Sequence, residues 1–461
     1  MQNKSKYDLA PEALNITKKD KIDTGKVLAW SMWEWGSGAF NTIITSFVFS
    51  VYLTDKVAAH ATTGSQVLGY GMGIGGVLIA LLAPIVGQRS DISGRRKFWL
   101  IANTILVCIL TATLFFIKPA PEYLIPGVAI LAIANVFLAF ADVNNSAILL
   151  QVSTPKTIGK VSGYGWSMGY FGGIFALLIA IVGFVNIKDG QHGWFGVTTT
   201  ESLNIRALAI FVAAWFLLSL IPVILKVPEK QQDPNYKAEK VSYKESYKKL
   251  WGTLKRIYKE DPNLITFFMA SALFRDGIAA IFQFIGIIAV GSFGFSATEV
   301  LIFAVVANII AAIGAVVVGY FDDIFGPKKI IIFSLTVMVA GGITIFFMHS
   351  KLSFWILALA ISFLVGPAQS SSRTFLARFT TPENEGELFG LYTTTGRTIS
   401  FIAPMLFSLC ITLAVPLVGQ DHAQRYGIWG LVITLLAGLL VLLKAKLPPL
   451  KEPKIVDKVL N

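Results

Sequence analysis

Apolar residues run through this chain in long blocks with little period-two alternation, and twelve blocks approach or exceed the roughly 20 residues needed to cross bilayer hydrocarbon as a helix. They lie near 27–53, 68–88, 98–117, 123–151, 161–187, 205–226, 263–291, 297–320, 330–349, 353–378, 388–415 and 425–446. The pattern predicts an all-α integral membrane protein with twelve transmembrane helices. Polar stretches bound them: a tail over 1–26, a linker over 227–262 whose second part reads as an amphipathic surface helix, and a tail over 447–461. The N-terminal stretch carries six Lys and has no apolar core of a signal peptide, so it is expected to be a cytoplasmic tail.

The linker divides the helices into two sets of six, 27–226 and 263–446, and an internal repeat follows the same division. GQRSDISGRRK at 87–97 recurs as GYFDDIFGPKK at 319–329, pairing Gly87 with Gly319, Asp91 with Asp323, Gly94 with Gly326 and Lys97 with Lys329. Thr154, Pro155, Gly159, Gly163 and Gly169 recur as Thr381, Pro382, Gly386, Gly390 and Gly396. Two six-helix bundles repeated in the same direction are the architecture of a major facilitator transporter, with pseudo-symmetric halves.

Composition agrees with the membrane reading. Of 461 residues 54% are hydrophobic and only 14% charged, where a soluble protein carries roughly a quarter. The net charge of +12 would suggest nucleic acid if it gathered on one folded face, but the basic residues lie between apolar blocks, so no nucleic-acid partner is expected. With the N-terminus inside, most of the 39 Lys and Arg fall on the inner side, and the outer side keeps Lys56, Lys118, Lys188, Arg206, Lys351 and Arg425. Both termini are therefore expected in the cytoplasm of a bacterial-type cell membrane. Cys108 and Cys410 sit inside apolar blocks without metal-ligand spacing and read as small core residues. No metal, cofactor or catalytic group is expected.

Charge inside the membrane carries the functional signal. Glu34, Asp142 and Asp276 are balanced by Arg275, Arg373 and Arg397, and each would cost about 2.5–3.5 kcal/mol facing lipid at the bilayer centre. Glu34, Ser37, Asn41 and Thr45 form one stripe along helix 1. Asn135, Asp142 and Ser146 do so on helix 4, beside Asn145; Asp276 and Gln283 on helix 7; Gln369, Ser372 and Arg373 on helix 10. Helices 6, 9 and 12 carry no such stripe and helix 3 only Asn103, as expected if helices 1, 4, 7 and 10 line a central cavity. The candidate binding or coupling residues are thus Glu34, Asn41, Asn135, Asp142, Asn145, Arg275, Asp276, Gln283, Gln369, Arg373 and Arg397, with the aromatics Trp166 and Tyr392. Arg275 and Asp276 are adjacent, about 100° apart around the helix, and must meet different partners. Static interhelical pairing is the alternative role for these charges.

Two motif-like strings carry no chemistry. GMGIGG (Gly71, Gly73, Gly76) lies within an apolar helix with no strand before it, and GWSMG places Ser167 in a GxSxG string without strand, turn or nearby histidine. Both clusters read as small-residue faces on helices 2 and 5 that pack across the two halves. The histidines His60, His192, His349 and His422 fall at outer ends or loops, and the sequon at Asn144 lies within helix 4.

Several segments together resemble the vacuole effluxer-like family of the major facilitator superfamily, which includes the autophagy-related amino-acid effluxer. They are WEWGSGAFNTIITSFVF in helix 1, STPKTIGKVSGYGWSMGYFGG into helix 5, LFRDGI in helix 7, DDIFGPKK in loop 8/9 and GPAQSSSRTFLARFTTPENEGELFGLYTTTGR into helix 11. The chain departs from the family at Glu34, where Asp is usual, at Ser37 and Gly38, which replace Asn-Ser, and at Leu150, where Pro is common. The resemblance implies a gating motif in which Asp91 caps helix 11 while Arg95 and Arg96 pair with acidic groups, repeated by Asp323 and Lys329. It also implies export of amino acids. The expected function is alternating-access secondary transport of a small polar or zwitterionic solute by a monomer in the lipid bilayer, with proton coupling through Glu34 or Asp276 as a further expectation. The rivals are a lipid or amphipathic drug transporter and a transport-incompetent membrane sensor.

Overall fold

The computed structural model describes residues 23–93, 95–153, 158–187, 192–229, 243–377, 379 and 385–446. Among them every regular element is helical, and twelve helices are long and apolar enough to span a membrane. They are α1 (Thr24–Val57), α2 (Ala61–Ser93), α3 (Arg96–Phe116), α4 (Leu124–Val152), α5 (Ile158–Ala180), α6 (Leu203–Lys226), α7 (Pro262–Phe293), α8 (Ala297–Phe325), α9 (Pro327–Phe347), α10 (Lys351–Ala377), α11 in two pieces (Glu385–Thr398 and Ile402–Val418) and α12 (Gly427–Lys444). A shorter helix, Tyr243–Glu260, precedes α7. The protein is a multi-pass integral membrane protein.

Helix ends follow local chemistry. The Asp23 carboxylate accepts from the N–H groups of Gly25 and Lys26 at 3.0 and 3.2 Å and caps α1. These bonds, led by that from Lys26, hold its carboxyl below the usual range. Asp261 caps α7 through the Asn263 N–H at 2.9 Å, with Pro262 in the first turn, where its missing N–H costs nothing. Gly294 closes α7 with φ +66, a left-handed conformation that favours glycine. The Glu229 carboxylate reaches back from beyond α6 to the first N–H groups of α3, those of Lys97 and Phe98, at 3.0 and 3.2 Å.

Packing repeats between the halves. In the first bundle α1 packs on α5 and α6, α3 on α4 and α6, and α2 on α4; in the second α7 packs on α11 and α12, α9 on α10 and α12, and α8 on α10. The bundles meet where α2 crosses α11, where α5 meets α8, and where α1 meets α7. Each bundle has an aromatic core: Trp33 packs 5.9 Å from Phe216 and donates to Thr104 Oγ1 at 2.9 Å, while Phe284 stacks on Phe407 at 4.0 Å and Phe267 on Phe375 at 4.2 Å.

Three features depart from uninterrupted helices or from the expected packing. Helix α1 widens into π-helical turns over Phe40–Phe47 and Leu53–Val57. Helix α11 is broken around residues 399–401. The glycines of α5 correct the reading that its small-residue face crosses between halves: a Cβ on Gly172 would lie 2.1 Å from the Trp35 carbonyl oxygen and one on Gly165 2.7 Å from the Trp30 ring, so that face lets α5 close on α1 within one bundle. On α2, Gly71 and Gly75 close on Val128 and Ala132 of α4 in the same bundle, whereas Gly69, Gly73 and Gly76 lie across the seam. Cβ atoms on Gly69, Gly73 and Gly76 would meet Ser408, Met405 and the Phe401 backbone at 2.0, 2.5 and 2.8 Å.

Candidate functional site

Twelve alternating spans put both described ends, Asp23 and Lys446, on one side, the terminal side. On the far side the halves are sewn together by neutral hydrogen bonds. Gln66 Nε2 donates to Thr412 Oγ1 at 3.1 Å, Ser408 Oγ to the Gln66 carbonyl at 3.0 Å, and Gln424 Nε2 to Ser65 Oγ at 2.8 Å; Thr62 donates to the Gln420 carbonyl. Toward the terminal side two positions are unfilled. Gly163 and Gly390, partners in the sequence repeat, each have open space where a side chain would project.

Between these levels the intramembrane charges converge. Glu34 on α1 accepts from Asn145 Nδ2 on α4 at 2.9 Å, and Trp30, one turn earlier on α1, donates its indole N–H to the Asn145 carbonyl at 3.0 Å. The small faces of Gly165 and Gly169 let α5 close over Glu34, within 3.7 and 3.8 Å of where their Cβ atoms would sit. Glu34 is within electrostatic reach of Asp142, Arg397 and Arg373. Asp142 on α4 and Arg397 on α11 form an ion pair that joins the two bundles, with both side chains part-exposed. A second link between bundles sets the Arg373 guanidinium of α10 4.9 Å over the ring of Trp166 on α5, and Trp166 lies 6.3 Å from Tyr170.

Arg275 belongs to the second bundle alone. Its guanidinium sits 4.1 Å over the Tyr392 ring and donates to the Tyr392 carbonyl at 3.2 Å, while the Tyr392 hydroxyl shares a 2.7 Å hydrogen bond with Ser372. Gly396 makes room for it, since a Cβ there would be 3.0 Å from Arg275 Nη1. Arg373 is within electrostatic reach of both Arg275 and Glu34. Asp276 points elsewhere. Only 5% exposed, it accepts the Ala403 N–H at 2.8 Å and so caps the second piece of α11 from a neighbouring helix.

The remaining candidates are less engaged. Asn41 is exposed where α1 widens, Asn135 Nδ2 bonds back to its own helix at Leu131 O, and Gln283 and Gln369 are half-buried. Of the gating residues, the side chains of Asp91 and Asp323 lie outside the described residues. Arg96 donates to the Ala147 carbonyl at 3.0 Å, Arg95 and Lys329 are exposed, and Lys328 reaches the Ala445 carbonyl at 2.5 Å. Among the described residues no group of three or more His, Cys, Asp or Glu could hold a metal. Sequence reasoning missed Trp30, although it lies four residues before Glu34 on the same stripe, and the Ala403 N–H, which no side-chain pattern can mark.

Comparison with known proteins places this arrangement. The chain is 25% identical over 418 residues to YxiO, an uncharacterized MFS-type transporter of Bacillus subtilis (strain 168), covering 90% of this chain and 93% of that protein. The crystal structure of a D-xylose-proton symporter matches with a TM-score of 0.68 at 15% identity, over 94% of this chain and 99% of that one. An inward-facing, unoccupied bacterial homolog of the human lysosomal transporter Spinster matches with a TM-score of 0.61 at 15% identity, over 92% and 95%. At these identities the structures speak for the fold. The family model of the Major Facilitator Superfamily matches residues 35–404, and with twelve spans in two repeated bundles around a charged seam, this chain belongs to that superfamily of transporters.

Proposed function

We propose that this chain is an exporter of a small zwitterionic solute such as an amino acid, working as a monomer in a bacterial-type cell membrane with both ends cytoplasmic. The bundles at 27–226 and 263–446 rock about the central charges while the 227–262 linker follows. The observation that carries the reading is the convergence of opposite charges at one level between the bundles: the Glu34 carboxylate held by Asn145, and the guanidiniums of Arg373 and Arg397. A carboxylate offers a partner to an ammonium group and a guanidinium to a carboxylate, so this set of groups suits a zwitterion better than a neutral sugar. Export rests on the effluxer resemblance. Proton coupling is assigned to Glu34, the acidic group of the seam held by an amide rather than by a direct ion pair.

Counterflow in proteoliposomes loaded in turn with amino acids, xylose and nucleosides tests the substrate class. We expect exchange of an amino acid in counterflow, and, in a separate assay, loss of pH-gradient-driven uptake in Glu34→Gln. Exchange of neutral sugars alone would sink the zwitterion reading, and specific binding without any exchange would mark a sensor instead.

A further inference from the structure

The helix Tyr243–Glu260 has one face on the bundle and another that packs on none of the described residues. Ile257 is buried and Leu254 half-buried where the helix packs on α7 and α2. Lys248, Trp251, Lys255, Tyr258 and Lys259 are all exposed and follow one another at helical spacing, so they share the outward face. Trp251 is 70% exposed and Tyr258 61%, values that leave two large aromatic rings without protein contact on most of their surface. A single residue, Asp261, separates this helix from the first turn of α7, and its extended backbone turns the chain there. The helix is therefore tethered at the level where α7 enters the bilayer.

We propose that this face docks on the membrane surface itself, with the rings of Trp251 and Tyr258 at the headgroup boundary and the ammonium groups of Lys248, Lys255 and Lys259 on anionic lipid headgroups. Three observations select a lipid surface over a soluble partner. The tether keeps the helix one residue from the first turn of α7, where that span begins. Tryptophan and tyrosine favour that boundary because each joins an apolar ring to a polar group. Lysines spaced along one side of an interfacial helix gain from each anionic headgroup they approach, an attraction confined to about a Debye length. The inference stands apart from the proposed solute and direction of transport, since it concerns a surface remote from the central charges.

The test uses the full chain with Cys108→Ala and Cys410→Ala, labelled with an environment-sensitive fluorophore at Gly252→Cys. Gly252 lies on the outward face with open space around it. The protein is placed in nanodiscs of phosphatidylcholine alone or with about 30% phosphatidylglycerol, and quenching by aqueous acrylamide, which carries no charge and is not itself repelled by anionic lipid, is measured. We expect quenching to fall about threefold in the anionic discs, with high salt reversing the fall. The combined variant Lys248→Gln, Lys255→Gln, Lys259→Gln should show little difference between the two lipids. The lipid and salt arms compare one and the same labelled protein, so they decide the matter even if the triple variant folds poorly. Equal quenching in both discs would mean that the face looks into water, as a docking site for a soluble acidic partner would, and would overturn the proposal.

Discussion

A carboxylate buried as deeply as that of Asp276 needs compensation, and the start of the second piece of α11 supplies it as an N–H bond at 2.8 Å from Ala403. The bond replaces one that an N-cap side chain would make, which is why a break in α11 is tolerated next to Pro404 in the first turn. Asp276→Ala should therefore lower stability by about 1–2 kcal/mol, and Asp276→Asn, which keeps an acceptor, by less. Thermal unfolding of the purified protein would measure both. An Asp276→Asn protein with unchanged stability but no pH-gradient-driven uptake would instead make this residue a coupling group. The sequence displays the charge of Asp276 and its depth in helix 7. Its partner is a backbone group more than a hundred residues away, exposed only because another helix breaks there, and no stripe or motif records that. Glu34 and Asn145 are legible for the opposite reason: Glu34 lies on the polar stripe of α1 and Asn145 beside that of α4, and their meeting needs only the packing of α1 beside α4.

At the scale of elements, hydropathy locates the twelve helices well because desolvation of a spanning backbone leaves few alternatives. It is silent about irregularities within them. The π-helical turns of α1 include polar residues, Asn41 to Ser46 in part and then Thr54, Asp55 and Lys56, and the break in α11 follows the polar run Thr393–Thr398, yet polar residues elsewhere in the spans leave the helix regular, so hydropathy does not mark these places. Glycines illustrate the same limit: composition marks α2 and α5 as smooth, but only coordinates tell that one face crosses the seam and the other closes on α1. The difference yields a prediction. At Gly76 a Cβ would lie 2.7–2.9 Å from the side chain and backbone of Phe401, whereas at Gly390 it would meet nothing within 4 Å. Gly76→Ala must push α2 from α11 and is expected to destabilise by about 1–3 kcal/mol, the usual range for overpacking. Gly390→Ala should stabilise by up to about 1 kcal/mol through better helix propensity. Opposite shifts of the unfolding midpoint would be the result; equal shifts would deny that the α2 crossing is tight.

The whole molecule joins two kinds of contact between its bundles, and they differ in chemistry. Far from the termini the seam is neutral, made of amide, hydroxyl and carbonyl groups with close glycine packing, and neutral hydrogen bonds are each worth only about 0.5–1.5 kcal/mol. At the centre it is ionic and aromatic, through Asp142 with Arg397 and Arg373 with Trp166. A seam of many weak bonds can open as the bundles rock, because its groups can exchange one another for water at small net cost. Transport by alternating access requires that opening. The crossing of Gly69 with Ser408 allows a direct test, since a Cβ on Gly69 would lie 3.2 Å from that of Ser408, near the separation of a disulfide's Cβ atoms, about 3.8 Å. Gly69→Cys with Ser408→Cys, in a protein with Cys108→Ala and Cys410→Ala, should form the crosslink on oxidation and lose counterflow, with each single variant active and reductant restoring the pair. Full counterflow by the crosslinked protein would mean that the far side stays shut throughout transport, and the rocking of two bundles would have to be abandoned.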